Sequence, residues 1–140
     1  MKQEDRAASR TWEEYKDDIM RSTPVDVNMT FAEREKHRLW LEERPVEWIK
    51  FFFPKYAKAE FAPFQVRAIN RLIKHPEWYE VLSWARELAK STVAMFVVMY
   101  LTLTGKKKNV LLTAATVDAA KRLLGPYKAN LEANGRIKAY

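Results

Sequence analysis

Apolar positions recur at spacings of three and four along the first half of the chain, and they predict a series of short helices. Trp12, Tyr15 and Ile19 share one helical face, so a short helix is expected there, docked on the main body or on a partner. Arg21 to Asn28, with Ser22, Thr23 and Pro24, reads as a linker. Thr30-Phe31-Ala32-Glu33 is a capping box that opens a helix through Trp40 and Leu41, ending by Arg44 ahead of Pro45. Pro45 fits the first turn of the next helix, PVEWIKFFF, which stops at Pro54 and buries Trp48, Ile49, Phe52 and Phe53. Pro63 starts another, continuing to about Lys74 with Val66, Ile69, Leu72 and Ile73 apolar, and His75-Pro76 ends it.

Beyond Pro76 the pattern changes. Tyr79 to Trp84 is a short run that predicts a strand. Val93 to Leu103 is apolar nearly all round; its β-branched residues favour a strand, but its length and Gly105 at the C′ position argue for a helix over Ser91 to Thr104. Asn109 to Ala115 (NVLLTAA) reads as a parallel strand covered on both faces. Strand, helix and strand then form one right-handed βαβ unit. Thr116 caps a further helix with Val117, Ala120, Leu123, Leu124 and Tyr127 inward, kinked or divided at Gly125-Pro126. Asn134-Gly135 ends it, and Arg136 to Tyr140 is expected to begin another strand.

Composition narrows the chemistry. The 140 residues contain no cysteine, which excludes disulfides and thiolate zinc sites, and two histidines, His37 and His75, are too few for a histidine metal cluster. A net charge of +7 favours an anionic partner, set against the plainer reading of a lysine-rich solvated face. The polar start MKQEDRAASR does not resemble a signal peptide, and the longest apolar run is too short to span a bilayer, so a cytosolic location is expected.

The stretch Val81 to Thr92 (VLSWARELAKST) has the layout of a phosphate-binding loop: strand, tight loop, and a helix start carrying Lys-Ser-Thr. Against the pattern G-x-x-x-x-G-K-[ST], Trp84 and Ala89 occupy the two glycine positions, followed by Lys90 and Ser91. Such a loop aims backbone N–H groups and the positive end of a helix at a polyphosphate. Lys90 would reach the β- and γ-phosphates and the Ser91 hydroxyl would sit on Mg²⁺. Ala89 is tolerable there if its φ is negative. Gln65, one helix ahead of the loop, has the amide needed to read an adenine edge, with Phe61 or Phe64 stacked on the base; a surface glutamine on an amphipathic helix is the plainer alternative. A competing reading makes Trp84 to Leu103 one continuous helix, in which Glu87 and Lys90 are an ordinary i,i+3 ion pair.

In this order the pieces resemble the N-terminal part of the ATPase domain of large terminase subunits, the DNA-packaging motors of tailed bacteriophages. The resemblance covers roughly residues 45–140 and rests on Phe61-Ala62-Pro63-Phe64-Gln65, the loop Ala85 to Thr92, and Val110 to Leu124. The family's loop commonly reads Ser-Arg-Gln-x-Gly-Lys-Thr/Ser. Arg86, Leu88 and Lys90-Ser91 fit it, while Ala85, Glu87 and Ala89 replace serine, glutamine and glycine. Glu87 would repel a triphosphate unless Arg86 neutralises it or it points away.

The resemblance implies an α/β fold: an incomplete P-loop NTPase, with a parallel sheet, flanking helices and the βαβ unit, preceded by an N-terminal helical region. Residues 1–30 would be a helical arm and linker, 31–76 a helical region leading into the adenine-binding segment, and 77–140 the first half of the ATPase core. It implies ATP and Mg²⁺ as cofactors, bound by Phe61, Gln65, Arg86, Glu87, Leu88, Ala89, Lys90, Ser91 and Thr92. Lys90 would hold the β/γ-phosphates, Arg86 would lie near the γ-phosphate, and Ser91, or Thr92 if the register shifts, would ligate the metal. Implied partners are double-stranded DNA, a portal protein, a small terminase subunit and a homo-oligomeric ring, with no membrane, in the host cytoplasm. The family's later carboxylate pair and nuclease domain have no match here, so a fragment that binds nucleotide but hydrolyses it weakly is expected. Another nucleic-acid translocase or helicase, and a non-catalytic helical interaction module, are the alternatives.

Overall fold

The computed structural model describes residues 3–85 and 88–140, with side chains from residue 9 onward. It corrects the expected fold class. The described residues form seven helices and no strand, so the parallel sheet and the βαβ unit of an α/β P-loop fold are not what this chain adopts. The two runs read as core strands, Tyr79 to Trp84 and Asn109 to Ala115, are extended but lie in no ladder. Several of their apolar side chains face solvent: Tyr79, Val81, Val110 and Leu111 are all exposed.

The first helix, α1 (Gln3–Ser22), turns Ile19 into a small cluster with Ala129 and Ala133, with Trp12 and Tyr15 packed beside it. The expected arm is thus docked on the body, against the helix near the other end of the sequence. The capping box forms as the sequence predicts: Thr30 Oγ1 accepts the Glu33 N–H, and the Glu33 carboxylate accepts the Thr30 N–H at 2.8 Å. It opens α2 (Phe31–Glu42). Pro45 sits in the first turn of α3 (Pro45–Phe52), whose Trp48, Ile49 and Phe52, with Phe53 just beyond, are all buried. Pro63 opens α4 (Pro63–Lys74), burying Ala68, Ile69 and Ile73. Val66 and Leu72 are half-buried.

The central element is α5 (Lys90–Leu103). Val93, Met95, Phe96, Val97, Met99 and Tyr100 are buried in it, so the absence of a polar stripe in its sequence matches its position. Gly105 follows with φ +75°, the left-handed residue expected past a helix end. Phe96 meets Phe53 and Phe61, and Tyr100 meets Trp48 edge-on with centroids 5.1 Å apart, so α3 and the segment leading into α4 close over α5 through aromatic rings.

Two expectations near the C-terminus are corrected. The helix α6 (Val117–Ala133) runs unbroken through Gly125-Pro126, and its buried residues are Ala129, Asn130 and Ala133. Of the residues expected inward, Val117, Leu123 and Leu124 are exposed, and Ala120 and Tyr127 are half-buried. The predicted terminal strand is a short helix, α7 (Gly135–Ala139). Asn134 both ends α6 and caps α7: its Oδ1 accepts the Ile137 N–H, and its Nδ2 donates to Phe52 O at 2.6 Å. Tyr140 then enters an aromatic group with His37, Phe51 and Phe52, and its hydroxyl lies 2.7 Å from His37 Nδ1. Gly135 is needed at the junction, since an added Cβ would come within 2.9 Å of Thr23 O.

Candidate phosphate-binding site at the start of α5

Of the expected loop residues, Leu88 to Thr92 lie at and just before the first turn of α5. Ala89, the residue before the helix, has φ 57° and ψ 34°, a left-handed conformation. Alanine at this position of a phosphate loop was tolerable only with a negative φ, and that condition is not met. A left-handed alanine costs about 1–2 kcal/mol, because its Cβ crowds the carbonyl oxygen. It is the only non-glycine residue with positive φ among those described. The same break excludes the continuous helix from Trp84 to Leu103, because the chain turns at Ala89 and the first helical bond is Val93 N–H to Ala89 O, 2.8 Å.

The helix start has no side-chain cap. The N–H groups of Lys90, Ser91 and Thr92 precede the first helical bond and carry the positive end of the α5 dipole. The side chains of Lys90 and Ser91 are exposed and that of Thr92 is half-buried, and none of the three has a hydrogen-bonding partner among the described residues. Leu88 and Ala89 are exposed beside them. Arg86 and Glu87, expected at the γ-phosphate and next to it, lie outside the described residues.

Gln65 is brought to this loop, with its amide engaged in the protein. Its Oε1 accepts the Ala62 N–H at 2.9 Å, satisfying a free donor at the start of α4, and its Nε2 donates to Leu88 O at 3.2 Å. The glutamine therefore ties the start of α4 to the loop ahead of α5. Phe64 packs edge-on against Trp84, centroids 4.9 Å apart, and holds the loop's entry. Phe61 meets Phe96 edge-on at 5.9 Å, half-buried at the margin of the core.

A cavity of about 430 Å³ opens beside the helix start. Lys90, Ser91, Thr92 and Arg122 supply its polar rim, and Leu82, Leu112 and Met95 are among its apolar walls. Arg122 was not singled out from the sequence. It lies on α6, and the packing of α6 on α5 brings it to the cavity that Lys90 also lines. Tyr56 and Tyr127 also line the cavity, and burial, the main cause for both, pushes their phenols up, so both stay protonated as donors. For a divalent cation, the donors present are the Ser91 and Thr92 hydroxyls, which suit Mg²⁺ held mainly by phosphate oxygens and water. Among the described residues no group of three or more His, Cys, Asp or Glu could hold a metal ion by itself. No described helix is long and apolar enough to cross a membrane.

Comparison of the chain with family models, with curated proteins and with solved structures finds no match.

Proposed function

We infer that the chain binds the phosphates of a nucleoside triphosphate, ATP with Mg²⁺, at the first turn of α5. One observation carries this reading: an uncapped helix start bearing Lys90, Ser91 and Thr92 at the edge of a cavity. The free N–H groups of the first turn, the helix dipole and the Lys90 ammonium favour an anion there. Arg122 supplies a second cation across the cavity. Gln65 acts first as a brace on the loop through Leu88 O, and an adenine edge would have to take over that amide.

This reading is compatible with a role in a DNA-packaging ATPase of the terminase type, in the host cytoplasm, with double-stranded DNA, portal protein and small subunit as partners. Phosphate binding at the α5 start needs no β-sheet, whereas the parallel sheet implied by the terminase resemblance is not adopted by the described residues. Calorimetric titration with ATPγS and Mg²⁺, beside Lys90→Ala, is the test. Saturable binding weakened at least tenfold in Lys90→Ala is expected, from loss of a charge-assisted contact. Absence of binding by the folded chain, or equal binding by the variant, would overturn it.

A further inference from the structure

We propose that the end of the molecule where α4 and α5 terminate is a binding surface for single-stranded nucleic acid. The surface is separate from the α5 start and rests on different residues. Arg67, Arg71 and Lys74 fall at i, i+4 and i+7, a single stripe on α4, and with Asn70 and His75 they line a shallow groove of about 280 Å³. The basic turn Lys106-Lys107-Lys108 beyond α5 is joined to this stripe, because Lys107 Nζ donates to Pro76 O at 2.7 Å.

These cations are left largely uncompensated. Arg71 pairs with Glu80 at 2.6 Å, and Glu77 is the other carboxylate of the segment. Arg67, Lys74, Lys106, Lys107 and Lys108 have no carboxylate partner among the described residues, and the Lys106 ammonium lies over the Tyr100 ring. Some cations elsewhere are paired, Lys16 with Glu13 and Glu132, Arg38 with Glu35 and Glu42, Lys50 with Glu60, so lack of a partner alone does not mark this surface; the groove and the rings beside it do. The α4 cations lining the groove, with Lys107 tied to Pro76 beside them, raise the local potential and attract a polyanion.

Aromatic faces beside the cations decide which polyanion. His75 stacks on one side of Trp78, centroids 5.0 Å apart and planes 30° from parallel, while Trp78 remains 47 % exposed. Glu80, fixed by Arg71, accepts the Trp78 indole N–H and holds the ring in place. Tyr79 follows, 89 % exposed. A fixed, half-open indole among lysines is a platform for an unpaired base, with the phosphates on either side meeting Arg67, Lys74 and the lysine turn. A duplex offers the same phosphates but keeps its base faces stacked on one another, so the aromatic contribution selects single strands.

Fluorescence anisotropy of a labelled oligothymidylate, with an equal-length duplex for comparison, tests this on the whole chain. Single-strand binding about tenfold tighter than duplex binding is expected, from stacking of one or two bases. Trp78→Ala should remove that preference and leave duplex affinity unchanged. Lys74→Ala with Lys108→Ala should weaken both and lower the salt slope for the single strand by about 1.4. All the altered side chains are surface groups, and circular dichroism confirms that the variants are folded. Lys90→Ala should bind the oligonucleotide normally, which keeps this surface distinct from the nucleotide reading. Equal affinity for duplex and single strand, an unaffected Trp78→Ala, or no binding at low salt would each overturn the proposal.

Discussion

Replacing Ala89 by glycine should make the protein more stable, an unusual sign for this substitution. The backbone at Ala89 is left-handed, φ 57°, and an L-residue held there stores about 1–2 kcal/mol of steric strain. Glycine releases that strain, while its greater freedom in the unfolded chain subtracts about 0.4–1 kcal/mol. The net effect is a gain of roughly 0.5–1 kcal/mol. Ala94, five residues on within α5, provides the internal control, because Ala→Gly in a helix interior costs about 1 kcal/mol. Urea unfolding followed by circular dichroism separates the two. With a slope near ~2 kcal/mol per molar urea, Ala89→Gly should raise the midpoint by about 0.3–0.5 M and Ala94→Gly should lower it by about 0.5 M. If Ala89→Gly lowers the midpoint as Ala94→Gly does, Ala89 is helical or extended in the native state. The bent helix start would then be refuted.

Asn134→Ala should cost about 2–3 kcal/mol, since it strips the cap from α7 and leaves Phe52 O without its buried donor; calorimetry should show Tm falling by about 8 °C or more. Acid should weaken the start of α2. The Thr30 N–H, with the Thr30 hydroxyl, holds the Glu33 carboxyl below its ordinary value of 4.5. Its folded pKa is therefore the lower one, so the stabilisation is complete above the ordinary value and is lost as pH falls through the folded pKa. The Tm difference between the native chain and Glu33→Gln should accordingly shrink on acidification from neutral pH. A constant difference would show that the charged carboxylate contributes nothing at that cap.

The helix boundaries written in local chemistry were legible in the sequence. Thr30 and Glu33, Pro45, Pro63 and Gly105 each act within a turn of themselves, and the structure uses each as the sequence predicts. The misread elements depend on partners far away in the chain. NVLLTAA has strand composition, but a strand exists only where a second backbone supplies the ladder, and none of the described residues does. The inward face of α6 was misread: Val117, Leu123 and Leu124 are exposed, and the helix is buried through Ala129, Asn130 and Ala133, where α1 covers it. Asn134-Gly135 was read as a stop, and it is also a start: the asparagine amide serves two helices, which a one-way reading of cap residues misses. At the candidate site, Lys90, Ser91, Thr92 and Gln65 were found from spacing. Arg122 was not, because its placement comes from α5 packing against α6.

The docking of α1 on the far end of the sequence has a consequence for the order in which the protein assembles. Gly135 N–H donates to Thr23 Oγ1 and Arg136 Nε donates to Pro24 O, contacts that join residues 112 apart. Closing a loop of that length costs about 4 kcal/mol in chain entropy, so these contacts become favourable only when α6 and α7 are already in place. On a ribosome, α1 emerges before the helices it docks on and settles only after them. Until its groove exists it carries Trp12, Tyr15 and Ile19 uncovered, and for that interval the growing chain presents an amphipathic helix to whatever lies nearby. In the finished molecule the dependence runs the other way: loosening the C-terminal half of α6 removes the surface on which Ile19 is buried, and so frees α1 as well.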